Sequence, residues 1–241
     1  MNDNTGSGDR HTVAAFDAEL GGLRAAVMEM GGLAEYALAN ALSALADADD
    51  ERARKVVEGD AAIDAIERRI DQQVIQTLMR RSPFADDLRE VLMAHRVSGY
   101  LERVGDYAKG VARRVPSMRS PTERRAARVL SELGSRAYDM LVGVLNAYAA
   151  RDPEKAKAVY EGDARIDEEY QRVFLALLAQ MANDASTIPA VGQLLLAAKS
   201  LERTGDQATN IAELIYSTYT SSKLSSRAEQ GIDEGGANEP G

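Results

Sequence analysis

The chain has 241 residues, is 45% hydrophobic, carries a formal charge of −9 and contains neither cysteine nor tryptophan. Its acidity argues against general nucleic-acid binding, which rests on a basic face, and the lack of cysteine excludes disulfides and thiolate metal sites. With abundant alanine and three phenylalanines, it suits thin helical bundles better than a β-sandwich, in one domain or two small ones.

Residues 1–11 are polar and glycine-rich and read as a disordered start. From Val13 the apolar positions fall at 13, 16, 20, 23, 27, 30, 34, 37 and 41, an alternation of three and four that predicts a long first helix with a heptad seam. A second helix is expected from near Asp50 to Arg80. Its buried stripe is Ile63, Ile66, Ile70, Val74 and Leu78, flanked by an acidic stripe of Asp60, Asp64, Glu67 and Asp71. Ser82-Pro83 breaks the chain, because proline disfavours α conformation in the residue before it. Asp86 and Asp87 suit the positive end of a third helix. Pro116 and Pro121 mark the midpoint. The plan then repeats, with helices over about 122–150, from Pro153 onward, and from Pro189 to about Tyr219. Residues 222–241 read as a disordered tail. The fold class is all-α: a tandem duplication of two antiparallel three-helix bundles, over 12–116 and 121–221.

The duplication is written in two motifs. Leu-Glu-Arg-Val-Gly-Asp at 101–106 returns as Leu-Glu-Arg-Thr-Gly-Asp at 201–206, 100 residues later. Glu58-Gly59-Asp60-Ala61-Ala62-Ile63-Asp64 is echoed 103 residues on by Glu161-Gly162-Asp163-Ala164-Arg165-Ile166-Asp167. On a helix, positions four apart share a face, so each motif sets two carboxylates side by side, where they repel unless something positive lies between them. Gly105 and Gly205 are poor helix formers; their recurrence implies a neighbouring helix or ligand close to the backbone. Asn210 and Glu213 extend the second acidic face. The matching positions of the first copy are Gly110 and Arg113, with Lys109 nearby, so the second site is expected to hold a cation more tightly. His95 lies seven residues before Glu102 on the same face, within reach of the site, but reads first as a packing residue. The arginines at 113, 114, 119, 124, 125 and 128 read as a solvated linker.

At these residues the chain resembles the PhoU family of phosphate-uptake regulators. The doubled hexapeptide is similar to that family's signature, as are Ala208–Glu213 and the turn Arg81–Arg89, and the likeness spans about residues 12–220. It implies a negative regulator of the phosphate-starvation response, acting between the phosphate transporter's ATPase subunit and the phosphate-sensing histidine kinase. It also implies a homodimer in the cytoplasm that meets the membrane only through its partners. Metal clusters on paired E/D-x-x-x-D motifs are a family property. They fall here on Asp60, Asp64, Glu102 and Asp106, and on Asp163, Asp167, Glu202 and Asp206, with Asn210 and Glu213 adding oxygens to the second. Four converging carboxylates raise one another's pKa unless a cation compensates them, and oxygen ligands suit hard cations. The candidates are iron, manganese, magnesium, calcium or zinc.

Two other readings remain open at this point. A ferritin-type di-metal enzyme wants Glu-x-x-His on two helices, whereas Gly8 and Leu92 precede His11 and His95 by three. A metal-free interaction bundle would keep the acidic grooves without filling them. No nucleophile, catalytic dyad or phosphate-binding glycine loop is visible, so no enzyme is expected. Nor is there a basic segment followed by an apolar run at the start, or an 18-residue apolar stretch. That predicts a soluble, cytoplasmic protein.

Overall fold

A computed structural model of the chain describes residues 6–81, 83 and 85–224, with side chains for 16–80, 83 and 85–224. Among the described residues there are eight α-helices and no strand: α1 Gly6–Asp47, α2 Asp50–Arg81, α3 Ala85–Ala112, α4 Pro121–Ala127, α5 Ser131–Ala150, α6 Pro153–Glu161, α7 Asp163–Asn183 and α8 Ile188–Thr220. The heptad seam of α1 is buried from Leu20 to Ala34; from there it passes to Leu38, Ala41 and Leu45, with Ala37 only partly covered. Ile63, Ile66, Ile70 and Val74 of α2 are buried as their spacing requires, and Leu78 packs against the same core.

The helix ends follow local chemistry. Ala48 adopts φ 53°, the left-handed conformation that closes a helix, and Asp49 then accepts from the Arg52 amide at 2.9 Å to start the next. Ser120 and Glu123 form a reciprocal capping box ahead of Pro121. Asp152 accepts from the Glu154 and Lys155 amides at 3.0 and 3.1 Å, with Pro153 in the first turn of α6.

Three expectations differ from the structure. The polar stretch 6–11, expected to be disordered, belongs to α1; once the seam has nucleated a helix, each added residue costs little. Residues 1–5, and the part of the expected tail beyond Leu224, lie outside the described residues. The single helix expected over 122–150 is divided by a 3₁₀ turn at Arg128–Leu130, and the one expected from Pro153 is divided at Gly162. There the Gly162 amide bonds Val159 O at 3.0 Å and the Arg165 amide bonds Gly162 O at 3.1 Å, three-residue spacings that tighten the backbone. Gly59, its counterpart, leaves α2 unbroken.

In the first half α1, α2 and α3 pack on one another; in the second, α5, α6, α7 and α8 do so, with α4 against α8. The halves are not separate bodies. α3 lies along α8, α1 crosses α5, and one continuous apolar core runs through both. The α1–α5 crossing is reciprocal. A Cβ on Gly31 would stand 2.5 Å from Leu145 Cδ2, a Cβ on Gly134 would stand 2.4 Å from Leu42 Cδ2, and between them Tyr138 donates to Glu35 Oε1 at 2.8 Å. At another point Glu90 of α3 receives Arg24 of α1 at 3.3 Å, Arg151 at the end of α5 at 3.7 Å, and the Tyr219 hydroxyl of α8 at 3.4 Å. Among the described residues no helix is long and apolar enough to cross a membrane.

Candidate metal-binding clusters

The motif glycines are where helices touch. A Cβ on Gly105 would meet Ile63 Cδ1 at 2.8 Å, and one on Gly205 would meet Ile166 Cδ1 at 2.6 Å. The neighbour of each glycine is therefore a helix, α2 against α3 and α7 against α8, with the isoleucine of each Gly-Asp-Ala-x-Ile-Asp segment seated on it. That contact brings the acidic stripe of one helix to the acidic pair of the next.

In the first cluster Asp64 and Glu67 of α2 face Glu102 and Asp106 of α3. Burial, followed by Asp106, Glu67 and Asp64, pushes the Glu102 carboxyl up to about 7. Glu67 is raised as well, by burial and then by Asp71 and Asp64. Asp60 is 6% exposed, and Lys109 closes on it: the ammonium donates to Asp60 Oδ2 and lies 3.4 Å from Asp106 Oδ1. The packing role expected of His95 is not what it performs. Its ring is exposed, and Nδ1 lies 3.0 Å from Asp71 Oδ1 on α2.

In the second cluster Asp163 and Asp167 of α7 meet Glu202 and Asp206 of α8. Asp206 is pushed up to about 6 by burial, then by Glu202 and Asp163. Asp167 is raised by burial, Asp163 and Glu202. Lys199 donates to Glu202 Oε1 at 2.6 Å and stands 5.3 Å above the Tyr170 ring. Glu202 is 9% exposed, and its other oxygen, Oε2, is buried without a hydrogen-bond partner. Thr209 donates to Asp163 Oδ1 at 2.8 Å. Asn210 and Glu213 occupy the next turns of α8, half-buried, with no hydrogen bond or ion pair to the cluster among the described residues.

A hard cation fits these two places unequally. Among the described residues no three carboxylates or histidines already form a ready-made metal site. In the second cluster, however, the mutual repulsion of four carboxylates and the orphaned Glu202 oxygen are what a cation would relieve. In the first, Lys109 already spans Asp60 and Asp106. Sequence reasoning named the eight carboxylates, and Glu67 in the acidic stripe beside them, but passed over Lys199 and Thr209. For Thr209 the signal lay in the repeat itself, since Lys109 and Thr209 occupy equivalent positions; Lys199 answers to Gly99 and had no such signal. The arginines of the midpoint are more than a solvated linker: Arg119 pairs with Asp50 at 2.9 Å, and Arg114 and Arg124 bond backbone carbonyls. A separate open groove of about 900 Å³ runs between α5 and α6–α7, lined by Arg136, Met140, Asn146, Val159 and Arg165 among others and by none of the eight carboxylates.

Compared with known proteins, the chain matches the PhoU domain twice, over residues 27–115 and 130–215. It is 45% identical over 217 residues to a phosphate-specific transport system accessory protein PhoU homolog of Zymomonas mobilis, with 90% of this chain and 92% of that protein covered. It is 35% identical over 208 residues to the accessory protein PhoU of Escherichia coli K12, with 86% of each covered. Its fold superposes on the crystal structure of PhoU from Pseudomonas aeruginosa with a TM-score of 0.81 at 36% identity, covering 86% of this chain and all of that one. For the phosphate transport system regulatory protein PhoU from Streptococcus pneumoniae the TM-score is 0.78 at 27% identity, covering 88% of this chain and all of that one.

Proposed function

The chain belongs to the PhoU family, and from that premise we propose that it is a non-enzymatic adaptor restraining the phosphate-starvation response. In this reading it contacts the ATPase subunit of the phosphate transporter on one side and the phosphate-sensing histidine kinase on the other. It works as a cytoplasmic homodimer. The observation that carries the proposal is likeness along 86–90% of the chain to accessory proteins of the phosphate-specific transport system. Its long helices offer surface for partners, including exposed Met79 and Leu175. The second acidic cluster holds a hard cation through Asp163, Asp167, Glu202 and Asp206. Such an ion would neutralise converging carboxylates and fix α7 against α8; Asn210 and Glu213 stand on the next turns of α8.

The test is a starvation-promoter reporter in a deletion strain grown in plentiful phosphate. The reporter is expected to stay on, and to be silenced again by the gene supplied in trans. A reporter that remains silent in the deletion strain removes the adaptor reading. Co-purification from phosphate-replete and phosphate-starved cells, scored for the ATPase and the kinase, identifies the contacts. Sedimentation of the purified protein decides the dimer.

A further inference from the structure

We propose that Lys109 is the built-in cation of the first acidic cluster, standing where a metal ion stands in the second, so that each chain binds one hard cation rather than two. The proposal rests on the reading of the second cluster given above.

The duplication supplies an internal control. Residues 60 and 163 are equivalent in the upstream motif, and residues 109 and 209 are equivalent after the hexapeptide. In both halves the side chain three residues past the motif aspartate reaches across to the same aspartate of the neighbouring helix. In the first half it is an ammonium on Asp60, also 3.4 Å from Asp106. In the second it is a hydroxyl, 2.8 Å from Asp163. The reach is conserved between the halves and the charge is not. An ammonium gives three donors and no lone pair, so it satisfies carboxylates as a cation does and repels a second cation brought among them.

The lysine of the second half does not serve the same purpose. Lys199 answers to Gly99 and sits on the opposite side of the motif. Among the described residues its ammonium contacts Glu202 Oε1 and the Tyr170 ring. It acts on Asp167 and Asp206 only through its field, which does not offset the burial and repulsion that raise them. It leaves Glu202 Oε2 buried and unbonded, and no ammonium lies on Asp163. Arg113, which the sequence put forward beside Lys109 as a cationic neighbour, is exposed and makes no ion pair with the cluster among the described residues. The difference between the sites therefore lies at position 109 rather than at 113.

The experiment uses the full chain, stripped with EDTA, then dialysed against Mn²⁺ and measured for bound metal and by calorimetric titration. Wild type is expected to hold one Mn²⁺ per chain, Thr209→Lys none, and Lys109→Thr two. Wild type holding two ions, Lys109→Thr holding one, or Thr209→Lys retaining its ion each overturns the proposal. If no variant binds Mn²⁺, the metal reading of the second cluster fails, and a cycle in EDTA decides Lys109 separately. There Lys109→Met should lower Tm, and Asp60→Asn should recover much of that loss when added to it. Additive losses in the double variant would show that Lys109 is not the counter-ion of Asp60.

Discussion

Gly105 and Gly205 illustrate how one atom sets the spacing of two helices. Alanine at Gly205 would place its Cβ 2.6 Å from Ile166 Cδ1. Overpacking of this kind costs about 1–3 kcal/mol, offset in part by the ~1 kcal/mol that alanine gains over glycine in a helix. Gly205→Ala should therefore lower stability by about 1 kcal/mol, a fall of roughly 2–4 °C in Tm for a chain of this size. Ile166→Val, which removes Cδ1, should make the double variant less destabilised than the sum of the two single changes. Thermal melts of the four proteins check this. Glu102 carries a second prediction. Burial lifts its folded pKa from 4.5 to about 7, so the folded chain binds that proton more tightly than the unfolded chain does. Stability in EDTA should be greatest below about pH 4.5 at this site, decline as pH rises toward 7, and level off beyond. Glu102→Gln should flatten that decline, and Tm measured at several pH values in both proteins decides it. The glycines and carboxylates were legible because the sequence repeats them. The Lys109–Asp60 contact was not, since it joins residues 49 apart on different helices and depends on the rotation of each.

At the scale of elements, sequence chemistry located the ends of helices better than their interruptions. Prolines and caps mark boundaries within one or two residues, because capping is local. Asp152→Ala removes the acceptor of two amides at the start of α6 and should cost about 1 kcal/mol, read by urea denaturation. The breaks at Arg128–Leu130 and Gly162 had no such local flag. Gly59 and Gly162 share the same flanking residues, and only the second interrupts a helix. The choice is made by packing in the second half, which propensity does not contain. Gly59 is exposed and meets nothing within 4 Å, so Gly59→Ala should raise stability by about 0.5–1 kcal/mol. The same denaturation series measures it.

For the whole molecule, the periodicity was enough to give an all-α chain in two similar halves, though not the division of two of its six expected helices, and it left the union of the halves open. That union rests on α3 along α8, α1 across α5, and the polar group centred on Glu90. Residues 24, 90, 151 and 219 come from four parts of the chain, and nothing in their local sequence joins them. Glu90→Ala would leave Arg24, whose Nε is buried, facing no carboxylate. A cost of about 1–3 kcal/mol is expected. Because one core spans both halves, the unfolding transition should shift without splitting in two and keep its denaturant slope. Two resolved transitions in either protein would mean that the halves are independent.

The α1–α5 crossing has a consequence for ancestry. Positions 31 and 134, 35 and 138, and 42 and 145 are each related by the same 103-residue shift, so the surface one half offers is the surface it receives. Such self-complementarity is the mark of an isologous two-fold interface between identical subunits. A dimer of half-length chains joined through the same seam would have this symmetry. Within a single chain neither half has to match itself, so a charge can stand at position 109 while position 209 keeps a hydroxyl. Expressed as two fragments cut between Ser117 and Ser120, the halves should find each other and rebuild the seam in solution.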